Sequence, residues 1–146
     1  MNAKTILLGT DFSPLSRAAL EWAATIAGAT GAKLLIATVE PGQPTSHFGS
    51  IYRGLPDPGI ADLAKTLAEF VPSHPAAAVE HRILQGEAAA ELIKCAAEEK
   101  VDLVVLGSHG RAGLKHLMLG SVAEAVLRGA HCPVLICKSA ATPAGT

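Results

Sequence analysis

The chain has 146 residues, of which 49% are hydrophobic and only 3% aromatic. This length suits one domain with one core, which we expect residues 1–146 to form. The formal net charge of −1 excludes the strongly basic surface that recruits nucleic acid or anionic membranes, so we expect neither as a partner.

The first part of the chain predicts a strand, a helix and a second strand. The apolar run KTILLG at residues 4–9 is typical of a strand buried on both faces. Ser13 and Pro14 predict a helix start that Gly28 and Gly31 close. Apolar residues three or four apart predict its buried face, namely Leu15, Ala18, Ala19, Trp22, Ala23 and Ile26. Residues 32–39, AKLLIATV, predict the second strand.

A long irregular connection follows the second strand. Residues 40–58 are rich in proline, glycine and polar side chains, and we expect a loop within the same domain. Asp57 and Pro58 predict the start of a helix that ends before Pro72. The alternating segment 78–84, AVEHRIL, predicts a strand at the edge of the sheet with one face partly wet.

The last third predicts two more strands and two more helices. A helix is expected over 87–100 and a buried strand over 101–106. After a glycine-rich loop, a helix over 121–128 ends at Gly129, and CPVLICK at 132–138 predicts the fifth strand. Residues 139–146 are expected to fray.

The first residues and the cysteines indicate the compartment. No apolar run approaches the roughly 18 residues that a membrane-spanning helix needs, and the beginning of the chain lacks the features of a signal peptide. Cys95, Cys132 and Cys137 are odd in number and lack Cys-x-x-Cys spacing, which favours free thiols in a reducing compartment. We expect a soluble, cytoplasmic protein.

The alternation of strands and helices predicts a three-layer α/β fold. Right-handed crossovers then give a mainly parallel five-stranded sheet with helices on both faces. With the strand order 3-2-1-4-5, the winding reverses between strands one and four, where such sheets bind ligands at the strands' carboxyl ends. The loops GTDFS and GSHGRAG follow these ends, so both should face one crevice.

The second loop has the features of a phosphate site. Gly107 and Gly110 permit close approach of a ligand, and Gly120-Ser121 opens a helix whose first amides attract anions. Arg111 or Lys115 would add positive charge. The alternative is a plain strand end with Ser121 as an ordinary N-cap. Neither a Walker A loop nor a Gly-x-Gly-x-x-Gly turn occurs in the chain.

Two residues at the other loop predict a nucleoside site. Asp11 follows strand one, and its carboxylate would accept hydrogen bonds from ribose hydroxyls or a base amino group. The alternative is that Asp11 caps the following turn. Val39 at the end of strand two is either an apolar wall for a flat ring or a core residue.

The glycines carry a resemblance to a known family. Gly107-x-x-Gly110, nine residues, then Gly120-Ser121 resembles the Gly-2x-Gly-9x-Gly-Ser/Thr signature of the universal stress protein family. The likeness extends over ILLGTDFSPLSRAALEWA, LLIATVEP and VVLGSHGRAGLKHLMLGSVAEAVLRGAHCPVLI, nearly the whole chain. It implies a Rossmann-like domain, similar to the adenine nucleotide alpha hydrolases, that binds ATP.

The resemblance also implies roles for individual residues. Asp11, flanked by Thr10 and Phe12, would contact ribose, and Val39 would contact adenine. Gly107, His109 and Gly110 would line the phosphates and ribose, with Arg111 beside them. Gly120, Ser121 and Val122 would present amides to the phosphates, and Mg²⁺ or Mn²⁺ would bind through the phosphates. The family usually dimerises through the last strand, here residues 133–138.

Several functions remain open from the sequence. The favoured one is an ATP-binding stress-response module whose shape or partners change with the nucleotide. A slow ATPase would need a base and a positioned water, and only His109 in the loop is a plausible proton handler. The same fold could bind AMP or cyclic AMP, or act as a dimeric partner protein without a nucleotide.

Overall fold

Five parallel strands form one sheet in a computed structural model that describes residues 2–41, 58–73, 78–108 and 119–138. The order along the sheet is β3-β2-β1-β4-β5, as the sequence predicts, and each neighbouring pair is parallel. The strands are β1 (Thr5–Gly9), β2 (Lys33–Pro41), β3 (Ala78–Gly86), β4 (Leu103–Gly107) and β5 (Val134–Cys137). The winding therefore reverses between β1 and β4, which pair directly.

Four helices connect the strands within the described residues. They are α1 (Pro14–Thr30), α2 (Pro58–Glu69), α3 (Ala88–Glu98) and α4 (Ser121–Gly129). None of the helices in these ranges is long and apolar enough to cross a bilayer. Most of the predicted connection at 40–58, the loop at 109–118 and the tail at 139–146 lie outside the described residues.

The core lies on both faces of the sheet, because successive strand residues point to opposite sides. Ile6 and Leu8 of β1 pack with α1 and with Leu67 of α2. Leu7, between them, packs with α3 and α4 on the other face. Ile6, Leu7 and Leu8 have no exposed surface. Strand β1 is therefore buried on both faces, as its continuous apolar run predicts.

The element boundaries differ from the predicted ones by a few residues. Helix α1 runs through Gly28 and ends at Gly31, whose φ of 74° is the left-handed conformation that glycine adopts freely. Helix α3 begins after Glu87, whose carboxylate caps it by accepting the Ala89 and Ala90 amides at 3.2 and 2.7 Å. The partly wet edge position predicted for 78–84 is confirmed for β3.

The predicted buried face of α1 is confirmed for Leu15, Ala19 and Ala23 and is wrong for Trp22. Trp22, expected to point inward, is 59% exposed, whereas Leu20 is completely buried. The helix is rich in alanine on several sides, so the apolar pattern alone leaves its rotation ambiguous. Close packing on the sheet resolves it, since the small residues Ala19 and Ala23 lie against the strands and the bulky indole stays outside.

Candidate functional site

A cleft of about 840 Å³ opens at the carboxyl edge of the sheet. It lies beside the neighbouring strands β1 and β4, between which the winding of the chain reverses. Its floor is formed by the ends of β1, β2 and β4, and helices α1 to α4 supply the walls. This volume lies in the upper part of the range of roughly 300–1,000 Å³ found for small-molecule sites. The described residues thus leave a cleft open at the place where the winding of the sheet reverses.

The turn after β1 forms one side of the cleft. Phe12 has φ of 64°, which is uncommon for a residue with a side chain and costs energy unless its surroundings hold it. Two side chains hold it here. The hydroxyl of Thr10 accepts the Phe12 amide at 2.9 Å, and the Asp11 carboxylate accepts the Ser13 amide at 3.0 Å. Asp11 therefore has the turn-capping role that the sequence left open, and its side chain also lines the cleft.

Buried hydroxyls fix this turn to the rest of the fold. The Thr10 and Ser16 hydroxyls lie 2.7 Å apart, and Ser16 donates to the Ser13 carbonyl at 3.0 Å. From β2, the Thr38 hydroxyl donates to the Thr10 carbonyl at 2.9 Å. Neither Ser16 nor Thr38 was predicted as a site residue from the sequence, although both line the cleft. Thr38 could have been noticed as the polar residue within the apolar run LLIATV.

The N-terminus of α4 forms the opposite side. Gly120 is the N-cap, so Ser121 is the first helical residue, and the alternative of Ser121 as an ordinary N-cap is wrong. The Gly120 amide donates to the Ser108 carbonyl at 2.6 Å and is engaged within the protein. The amide of Glu124 donates the first hydrogen bond within the helix, to the Gly120 carbonyl at 3.0 Å. The amides of Ser121, Val122 and Ala123 precede it and have no acceptor within the helix.

Gly107 lines the cleft, and the packing of the fold gives a further reason for a glycine at this position. It is absent from the described glycines with positive φ, so its backbone does not need glycine for that reason. A Cβ at this position would instead lie 3.1 Å from Leu15 Cγ and 3.4 Å from the Leu15 carbonyl carbon. The missing side chain lets α1 pack closely against the end of β4, while the Gly107 backbone lines the cleft.

The structure brings together every predicted site residue that it describes. They line the same cleft: Thr10, Asp11, Phe12, Val39, Gly107, Gly120, Ser121 and Val122. His109, Gly110 and Arg111 lie outside the described residues, as does Lys115. The turn after β1, the end of β4 at Gly107 and the N-terminus of α4 therefore face one crevice, and the rest of the predicted loop GSHGRAG, from His109 onward, lies outside the described residues.

Helices α2 and α3 add cleft residues that were not predicted from the sequence. Asp62, Leu63 and Thr66 come from α2, and Ala88 and Leu92 come from α3. The polar face of α2 resembles an ordinary solvated helix face in the sequence. One signal was available, because the connection after β2 leaves the carboxyl edge of the sheet and α2 is the next described element along the chain.

The charges in the cleft are unevenly placed. Among the described lining residues, the charged ones are Asp11 and Asp62, both negative. The uncapped amides of α4 give the other side a partial positive charge. The arrangement suits a ligand with hydrogen-bond donors at one end and an anionic group at the other.

Other reactive groups of the described chain lie away from this chemistry. Glu124 is exposed and pairs with Arg128 at 2.9 Å. Burial raises the pKa of the thiols of Cys95, Cys132 and Cys137, which are free and do not line the cleft. Across the described ranges, no cluster of three His, Cys, Asp or Glu side chains could hold a metal ion.

Comparisons with known proteins agree with this architecture. The universal stress protein family model matches residues 2–138. A universal stress protein A homolog of Coxiella burnetii is 32% identical over 139 residues, covering 92% of this chain and 96% of the relative. The structure of a universal stress protein UspA from Lactobacillus plantarum has a TM-score of 0.79 at 24% identity over 94% of this chain and 99% of its own, a likeness of fold.

Similar structures include complexes with nucleotides. One of them is a universal stress protein in complex with cAMP, 30% identical, with a TM-score of 0.70 over 93% of this chain and 97% of its own. Other relatives match this chain over less than half of their own length. A universal stress protein of Methanocaldococcus jannaschii is 45% identical over 60 residues, which are 41% of this chain and 35% of that protein. This chain spans 44% of a Mycolicibacterium smegmatis relative.

Proposed function

The chain belongs to the universal stress protein family, and on that premise we propose that it is a cytoplasmic, ATP-binding module of the stress response. The observation that carries the proposal is the two-ended cleft, with a carboxylate turn on one side and free helix amides on the other. Nucleotide binding would change the shape or the partners of the protein.

The phosphates would bind at the N-terminus of α4. The amides of Ser121, Val122 and Ala123 precede the first helical hydrogen bond and need an acceptor that water or a phosphate can supply. The hydroxyl of Ser121, which does not serve as the helix cap, would accept or donate a further hydrogen bond. His109, Gly110 and Arg111 would complete this end of the site.

The nucleoside would bind at the other end. Asp11 would accept a hydrogen bond from ribose with an oxygen of the carboxylate that also holds the Ser13 amide. Val39, paired in register with Leu84, would offer an apolar surface to the adenine ring. Any Mg²⁺ or Mn²⁺ would be held mainly by the phosphates, where it would neutralise their charge.

A smaller adenine nucleotide is the second candidate. The relative solved with cAMP is 30% identical to this chain and matches over nearly the whole length of both. A cyclic monophosphate needs fewer donors than a triphosphate and would use the same amides of α4. The glycine signature resembles that of the branch of the family that binds ATP, so ATP is the first candidate.

Binding without turnover is favoured over a slow ATPase. Hydrolysis needs a group that positions a water molecule near the terminal phosphate. Glu124, one turn into α4, points to solvent and pairs with Arg128. Asp11 and Asp62 would face the nucleoside end, where they could not serve this purpose.

We also propose a homodimer through residues 133–138. Strand β5 lies at the edge of the sheet, and an edge strand presents backbone groups to which a second copy can pair. Sedimentation equilibrium should give twice the 14.9 kDa mass of the chain. A monomer at all concentrations would contradict this part of the proposal.

The decisive experiment identifies the ligand directly. Small molecules released from the purified protein are analysed by mass spectrometry, and ATP, AMP and cAMP are then titrated calorimetrically. We expect ATP to be released or to bind most tightly. Preference for cAMP would favour the second candidate, and the absence of binding by all three would overturn nucleotide recognition.

A further inference from the structure

Helix α2 forms a wall of the cleft whose position is set by its C-terminal end. Phe70, which follows the helix, is 8% exposed, and its ring packs edge-on against Phe12 with centroids 5.4 Å apart. The Phe70 carbonyl lies 3.0 Å from His81 Nε2 of β3. Asp62, Thr66 and Phe70 are spaced four residues apart, so they follow one side of the helix. Seating Phe70 on Phe12 therefore directs Thr66 and Asp62 along the cleft.

This wall presents hydrogen-bond acceptors to the cleft. Asp62 carries a carboxylate, which only accepts when ionised. The Thr66 hydroxyl donates its proton to the Asp62 carbonyl at 3.0 Å, so its remaining capacity toward the cleft is as an acceptor. A ligand group that forms a hydrogen bond with Asp62 or Thr66 must accordingly carry an N–H or O–H donor.

The phosphates do not meet this requirement. They are negatively charged acceptors, and a carboxylate would repel them. The amides of α4 attract them to the opposite side of the cleft. The donors of a nucleotide lie on its nucleoside half, as the amino group of the base and the hydroxyls of ribose.

We propose that Asp62 is a specificity-determining residue that accepts a hydrogen bond from the nucleoside half of the bound nucleotide. The inference rests on the proposed nucleotide binding and extends it to a helix outside the glycine signature. With a 6-amino purine or an intact ribose, the carboxylate is paired. A 6-oxo purine would place an acceptor opposite the carboxylate, and a deoxyribose would leave it without a donor. Either change lowers the affinity.

The test compares two carboxylates of the same helix. Asp62→Ala and Glu69→Ala each remove one negative charge from α2 and introduce the best helix former, so both should fold. Asp62 lines the cleft and Glu69 does not. Calorimetric titrations with ATP, ITP and 2′-deoxyATP are run on wild type and both variants, with thermal unfolding as a check of the fold.

Only Asp62→Ala should weaken ATP binding. Removing a charge that makes no contact reduces repulsion of the triphosphate, so Glu69→Ala should bind ATP as well as wild type or slightly better. Asp62→Ala should bind ATP about threefold to tenfold more weakly, because a hydrogen bond is lost. A loss seen with ATP and 2′-deoxyATP and absent with ITP assigns the donor to the base. If Asp62→Ala loses affinity for ATP and ITP but keeps its affinity for 2′-deoxyATP, the donor is the 2′-hydroxyl.

The negative outcomes separate the two proposals. If wild type binds ATP and Asp62→Ala behaves like Glu69→Ala with all three nucleotides, the role of Asp62 is overturned and nucleotide binding stands. If wild type binds none of the three nucleotides, the proposed ATP binding and the role of Asp62 in it fall together.

Discussion

Replacing Ser121 by proline should weaken ATP binding strongly while preserving the fold. Ser121 is the first residue of α4, where the amide has no acceptor within the helix, so proline removes no internal hydrogen bond. Gly120 has φ of −64° and ψ of 158°, the extended conformation that the residue before proline prefers. The backbone therefore accepts Ser121→Pro without rearrangement.

The size of the effect follows from the lost donor. A hydrogen bond from an amide to a charged group contributes about 1.5–3 kcal/mol, which corresponds to roughly a 10- to 150-fold change in Kd. Stability should change by less than about 1 kcal/mol, since proline at the first helical position is favourable. Binding and folding are thus expected to respond very differently to the same substitution.

Calorimetric titration of ATP at fixed salt measures the affinity, and thermal unfolding measures the stability. Ser121→Ala is the matched control, because it keeps the amide and removes the hydroxyl. Wild-type affinity in a folded Ser121→Pro variant would refute the assignment of this amide to phosphate. Equal losses in the two variants would assign the effect to the hydroxyl.

Three further predictions concern the scaffold of the cleft. Leu20→Ala should cost about 2–5 kcal/mol and Trp22→Ala less than about 1 kcal/mol in urea unfolding, and the reverse order would contradict the observed rotation of α1. Gly107→Ala should cost about 1–3 kcal/mol by pressing on Leu15, and adding Leu15→Ala should cost less than the sum of the two single changes. Additive costs in that double-mutant cycle would remove the contact as the cause. The Lys4 and Thr5 amides donate hydrogen bonds to the Asp102 carboxylate at 2.8 and 3.0 Å and lower its pKa. The ionised carboxylate therefore stabilises the fold above the pKa of aspartate in the unfolded chain, about 4, and this stabilisation is lost as the pH falls through the lowered pKa of the folded protein. The Tm of Asp102→Asn should therefore fall less on acidification than the wild-type Tm, and parallel curves would exclude this role.

The two ends of the cleft could be predicted from the sequence because local rules and one topological rule suffice for them. Ser13-Pro14 and Gly120-Ser121 mark helix starts through short-range chemistry. Right-handed crossovers then limit the strand order, which brings the carboxyl ends of β1 and β4 together. The role of Asp11 as a turn cap was likewise among the predicted alternatives, since it needs only the neighbouring Ser13.

Other features depend on residues that meet only in the folded chain. Nothing near Gly107 in the sequence reveals that Leu15 of α1 would occupy the place of its side chain. The alanine-rich α1 has several apolar faces, and only close packing on the sheet selects Leu20 over Trp22 for the interior. Asp62 and Thr66 read as a solvated helix face until Phe70 packs on Phe12 and turns that face into the cleft. The sequence by itself thus determined where the cleft lies, through local caps and chain topology. The tertiary structure decided which further side chains line the cleft, because side-chain packing between distant segments sets the rotation of each helix.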